Sequence, residues 1–190
     1  MGSLEVVSPV THFLTGWVLA NGASLNRRER GAVTFSAVAP DLDGLGAIPE
    51  ILTRHSAHPL VWFSTYHHAL HNLLFGLVIA IVTFTIATRR WLTAILALIA
   101  FHSHLLEDLV GSRGPDGFSW PIPYLEPFSD RWSWSWHGQW ALNAWPNFVL
   151  TVGLLLLTLW LARIRGFSPV DLFSPESDRA VVSVLRERSS

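Results

Sequence analysis

The chain contains no cysteine and no lysine, and only 14% of its residues are charged. Without cysteine there are no disulfides and no thiolate metal sites, so any metal would have to be held by histidine and carboxylate. The 13 basic residues are all arginines, scattered in ones and twos, and the net charge is −1. No basic stripe is present, which argues against a nucleic-acid partner. No Arg or Lys precedes Arg27, so the positive region of a cleavable signal peptide is missing. What remains is half hydrophobic, with a mean hydropathy of +0.35. Soluble domains carry roughly 25% charged residues, so this composition points to a membrane.

Three runs look able to enter a bilayer: 72–88, 91–106 and 145–163. Each has 16–19 residues, at the short end for a hydrocarbon core about 30 Å thick. Two weaker runs, 9–25 and 31–40, precede them. Arginines follow every second run, at 27–30, at Arg89-Arg90 and at Arg163 and Arg165. By the positive-inside rule these places are cytoplasmic. The expectation is an all-α, polytopic membrane bundle of about four to five membrane segments, forming a membrane-embedded domain over 1–165 with a polar tail over 166–190. The tail reads as flexible or as a short helix. The stretch 111–144 is rich in Gly, Pro and Trp and reads as a loop, with "RWSWSW" either a short strand or lying on the interface.

The nine histidines are unevenly placed. His12 opens the first run, Asp41 and Asp43 close the second, His67, His68 and His71 open the third, and His104 and Asp108 close the fourth. With alternating helix directions, all of these reach one membrane face, opposite the arginines. His67 and His71, like His104 and Asp108, are four apart, a spacing that puts two ligands on one helix face. Asp41, Asp43, His12, His67, His71, His104 and Asp108 form a candidate ligand set larger than one tetrahedral zinc requires. It suggests two divalent ions, zinc or else manganese, a common device for phosphoester hydrolysis. His102 lies about 200° round the helix from His104 and is expected to face elsewhere. Glu107 is expected to point away from His104. His55, His58 and His137 read as loop residues, the last two as reserve ligands.

The motifs "THFLTG" (11–16), "APDLD" (39–43), "HHALHNLLFG" (67–76) and "HSHLLEDLVGSRGPDGFSWPIPY" (102–124) together resemble the membrane-bound metal-dependent hydrolases, a YdjM-like family also called LexA-binding, inner-membrane-associated hydrolases. That resemblance implies an inner-membrane protein distantly similar to zinc-dependent phospholipase C. In it His104 and Asp108 match a His-x-x-x-Asp metal pair, and His12, Asp41 and His71 match further ligand positions. Two histidines stand together at 67–68, so His67 and His68 remain alternatives as ligand.

The expected function is an integral membrane metal-dependent hydrolase of a phosphoester or lipid-like substrate. Asp43 or Asp108 would orient the attacking water, and membrane lipid would be the surrounding partner. The site is expected at the non-cytoplasmic face. The alternative is a non-catalytic membrane protein in which the same cluster holds a structural metal or conducts protons.

Overall fold

The computed structural model describes residues 9–114 and 117–187. Pro115 and Asp116 of the last motif, the first eight residues and the final three of the tail lie outside them. Among the described residues the protein is helical, with two isolated β-bridges and no strand. The helices are α1 (Pro9–Ala20), α2 (Arg27–Ser36), α3 (Ala47–Thr53), α4 (Trp62–Tyr66), α5 (Leu73–Ile86), α6 (Arg90–Gly111), α7 (Trp145–Arg165) and α8 (Pro175–Glu187). 3-10 turns cover Ala39–Gly46 and Pro169–Leu172.

Among the described residues two helices are long and apolar enough to cross a membrane: α6 with 22 residues and α7 with 21. At 1.5 Å per residue each spans a little over 30 Å, about one hydrocarbon core. The other runs fall short for local reasons. The run at 9–25 stays helical only to Ala20, because the chain turns at Asn21-Gly22. The run at 72–88 yields a 14-residue α5. It cannot begin before Leu73, because Asn72 is extended and its side chain caps the Phe75 amide. It ends before the arginine pair. At about 21 Å, α5 is too short to cross alone.

Two helix pairs close on glycine. An added Cβ on Gly16 of α1 would sit 2.6 Å from the Thr34 carbonyl oxygen of α2, and one on Gly76 of α5 would sit 2.8 Å from the Phe101 ring of α6. These contacts bring backbone and side chain close where lipid supplies no hydrophobic drive. Buried Ala20, Leu25, Val33, Ala37 and Ala100 close the seam between α1, α2 and α6. At the arginine end, the capping box of α2 joins Asn26 to Glu29, and Glu29 also accepts from the Arg89 amide at 2.7 Å. The tail docks there: Arg30 pairs with Asp171 at 2.5 Å and lies over the Phe167 ring, and Ser168 bonds Asp178 to start α8.

The Trp-rich stretch is held by polar contacts. Gln139 is buried, donates to the Asp108 carbonyl and accepts from the Trp120 amide. Ile122 and Trp134 exchange backbone hydrogen bonds of 2.8 Å, and Trp134 stacks on Tyr124. One bridge is all the pairing that "RWSWSW" achieves. Trp132 and Trp136 stay exposed. Asn147 at the start of α7 donates to the Gly111 and Leu142 carbonyls and accepts from Trp140, fixing α7 to the end of α6.

A candidate metal centre

His12 is reached from α1, Asp41 and Asp43 from the 3-10 turn after α2, His67 and His71 from the turn before α5, and His104 and Asp108 from the last turns of α6. The structure brings all seven to one end of the bundle. They do not play the same part.

Each of three imidazoles has its Nδ1 committed to an acceptor that cannot donate. The His12 Nδ1 lies 2.6 Å from a Glu107 oxygen, the His104 Nδ1 2.8 Å from the Ala37 carbonyl and the His71 Nδ1 3.1 Å from Asp43. In each the Nδ1 therefore carries a hydrogen, which leaves the Nε2 as the nitrogen able to ligate once it is deprotonated. Those Nε2 atoms converge. The His71 and His104 Nε2 atoms are 3.2 Å apart. Asp108 places Oδ2 3.0 Å from the His104 Nε2 and 3.4 Å from that of His71, and Oδ1 3.5 Å from the His12 Nε2. Asp41 Oδ1 is 3.8 Å from the His104 Nε2. The donors form two overlapping groups, His12–His104–Asp108 and Asp41–His71–His104, which share His104.

Lone pairs facing carboxylates at these distances repel unless a positive charge lies among them. Two buried atoms here, His12 Nε2 and Asp41 Oδ2, have no hydrogen-bond partner. His71 shows the same demand. Burial disfavours its imidazolium, but hydrogen bonds to Asp108 and Asp43 outweigh that and push its pKa up to about 9. The site calls for a cation, and a proton is the smallest that answers.

Asp43 stands one layer back. Its Oδ1 accepts from the His67 Nδ1 at 2.8 Å, and its Oδ2 from the His71 Nδ1 and the Leu70 amide. Despite burial, those hydrogen bonds hold its carboxyl below the usual range. His67 thus spends Nδ1 on Asp43, and its ring lies against Phe63 and Trp120. The His68 ring lies tilted against Trp120, with centroids 4.1 Å apart, and joins neither ligand group among the described residues. His67 and His71 do not share a helix face, because the segment between α4 and α5 is a turn that ends at the Asn72 cap. Asp43 gathers them instead.

Glu107, expected only to point away from His104, turns its Oε2 to the His12 Nδ1, and its Oε1 accepts from Thr15 at 2.5 Å. The spacing of His12 and Thr15, three apart on α1, is the one trace of this in the sequence. Carboxylates that hold a ligand imidazole by its far nitrogen set its tautomer and aim. Glu107→Gln is therefore expected to weaken metal binding roughly 10–100-fold without unfolding the protein, as read by titration with a fluorescent zinc indicator. His102 does face elsewhere: Nδ1 donates to the Leu98 carbonyl and Nε2 accepts from Tyr124. His55, His58 and His137 are exposed.

A cleft of about 320 Å³ opens beside His68, between Tyr66, Pro121, Glu126 and Asp130. A larger cavity of about 420 Å³ lies at the arginine end, around Ser24, Arg89 and Arg165, far from the histidines. The cleft is lined by His68 but by none of the seven gathered residues.

The family described as YdjM inner membrane protein matches this chain over residues 7–174. No curated protein and no solved structure matches.

Proposed function

The chain belongs to the YdjM inner membrane protein family, and from that premise we propose that it is an integral membrane metal-dependent hydrolase acting on a phosphoester of lipid-like character. One observation carries the reading. Three imidazoles from three separate segments are each fixed at Nδ1, and they turn Nε2 into one buried centre with Asp41 and Asp108. Within that centre His12 Nε2 and Asp41 Oδ2 have no hydrogen-bond partner, although Asp108 Oδ1 lies 3.5 Å from the former.

The donor set fits a divalent ion of the zinc or manganese kind, being imidazole and carboxylate without sulfur. His12, Asp41, His71, His104 and Asp108 would hold it. Because His104 belongs to both donor groups, we commit to one ion rather than the two that the ligand count suggested. Such an ion lowers the pKa of a water and polarises a phosphoryl oxygen. The chain's own residues do the rest. Asp43 and Glu107 hold the imidazoles in one tautomer. Asp108 has Oδ2 turned to His104 and Oδ1 accepting from Ser112. Asp43 has both oxygens engaged. The carboxylate oxygen left to orient a water and take its proton is Asp41 Oδ2. Burial pushes the Asp41 carboxyl up, which makes it the better proton acceptor. The role first given to Asp43 or Asp108 thus passes to Asp41.

The proposed membrane topology keeps the arginine end cytoplasmic and puts the site at the opposite face. The test is hydrolysis of bis(p-nitrophenyl) phosphate by detergent-purified protein loaded with manganese or zinc. Expected are turnover that chelation abolishes and an Asp41→Asn variant that binds the ion more weakly and stays inactive even when saturated with it. Metal-loaded protein inert toward phosphomonoesters and phosphodiesters alike would overturn the reading.

A pH dependence follows. Below about 9 the ion-free His71 carries a proton, and below about 10 His12 does too, and both must leave when the ion binds. Apparent metal affinity should therefore rise with pH, by about a hundredfold per unit while two protons are released and about tenfold per unit once only the His12 proton remains, and level off near pH 10. Isothermal titration in buffers of different ionisation enthalpy reads the protons directly.

A further inference from the structure

The segment between the two site aspartates and His67 has an unpartnered apolar side. In a 3-10 turn, residues three apart share a face, which aligns Leu42 with Leu45. Ile48, Ile51 and Leu52 continue that face along α3, and no residue of α3 is buried. Leu45 is 58% exposed, Ile48 57% and Leu52 79%. Val61 and Trp62, entering α4, are also more than half exposed. The charges of the segment do not interrupt this surface. Asp41 and Asp43 turn into the site, Glu50 is spent on the Ser64 amide and hydroxyl, and Arg54 donates to the neighbouring His55. A contiguous apolar patch of this kind on a protein surface marks an interaction.

The place of the segment identifies what covers it. Asp41 ties its start to His104 near the end of α6, and Asp43 ties it to His71 just before α5. At that level the outer faces of both helices are still apolar and exposed, with Leu74 on α5 and Leu106 on α6. The patch therefore continues the lipid-facing belt of the bundle beyond the helix ends. We propose that residues 41–62 form an amphipathic flap lying in the bilayer interface, its outer face in lipid and its inner face supplying Asp41 and Asp43 to the metal centre. Contact with the membrane and geometry of the site are then carried by one element. A lipid-borne substrate would meet the site from the leaflet side of this flap, past Trp62 and Tyr66, both exposed.

The absence of cysteine makes the test direct. Single cysteines replace Leu45, Ile48 and Leu52 on the flap, Ser56 and His58 on its exposed polar end, and Leu155 midway along α7 as a bilayer reference. Each variant of the full chain is labelled with bimane and placed in vesicles whose acyl chains carry bromine close to the headgroup or deep in the core. Expected is loss of most emission at 45, 48 and 52 to shallow bromines, at 155 to deep ones, and little loss at 56 and 58. Quenching of 45, 48 and 52 by aqueous iodide, to the level of 56 and 58, would overturn the proposal. So would disulfide cross-linking between copies through these positions without quenching by bromolipid, which would make the patch a contact with a second chain. The readout needs neither ion nor substrate, so its failure is distinct from failure of the hydrolase reading.

Discussion

Asp108→Ala is expected to empty the metal centre while leaving the protein in the membrane. Asp108 is the one residue whose carboxylate meets all three converging imidazoles, at 3.5 Å from His12, 3.4 Å from His71 and 3.0 Å from His104. Without it, Asp41 is the one carboxylate left in the two donor groups to offset the charge of the ion. The loss in affinity should exceed the roughly 10–100-fold that follows from removing a residue that merely aims a ligand. Insertion depends instead on the apolar length of α6 and α7, which the substitution leaves intact. Elemental analysis of the purified variant, beside its gel-filtration profile, checks both halves. Asp108→Asn keeps the shape and an oxygen but loses the charge, and should bind weakly rather than not at all. A variant Asp108→Ala that eluted as the wild type and retained its ion would remove Asp108 from the ligand set.

Gly16→Leu is expected to be at least as damaging, by a different route. The Cβ alone would stand 2.6 Å from the Thr34 carbonyl oxygen and 2.8 Å from the Ala37 Cβ, and a backbone oxygen cannot step aside as a flexible side chain can. α1 would have to move away from α2. Ala37 also supplies the carbonyl that holds His104, and His12 lies one turn before Gly16. Separation of the helices therefore disturbs two ligands together. Overpacking of this kind costs about 3 kcal/mol, and more when backbone must shift. Thermal unfolding in detergent should show a large drop in midpoint for Gly16→Leu and almost none for Gly153→Leu, where nothing lies within 4 Å. Equal midpoints would mean that the α1–α2 seam is looser than described.

The two cases show how much of this was legible in the sequence. Helix ends bearing His12, Asp41, His71, His104 and Asp108 could be placed at one face because arginines mark every second junction. The convergence needed only alternation of direction. The roles within the set were not legible. Asp43 looks like a ligand in sequence, but its two oxygens become engaged only when the turn before α5 folds over it. Glu107 sits about 100° round α6 from Asp108, so its value depends on α1 packing on that side, a fact of tertiary structure. The helix lengths misled where capping intervened. The hydropathy of 72–88 is continuous, but Asn72 prefers to cap and the chain breaks before Arg89, leaving 14 helical residues. The aliphatic residues at 42, 45, 48 and 52 escaped notice because their shared face spans a change from three to 3.6 residues per turn.

The most direct test of the central claim is the metal content of detergent-purified protein by mass spectrometry, wild type beside His104→Ala/Asp108→Ala. The account predicts about one divalent ion per wild-type chain and none in the double variant, with both proteins equally folded. Wild-type protein that binds neither zinc nor manganese after reconstitution, or a double variant that binds as well as wild type, would contradict it.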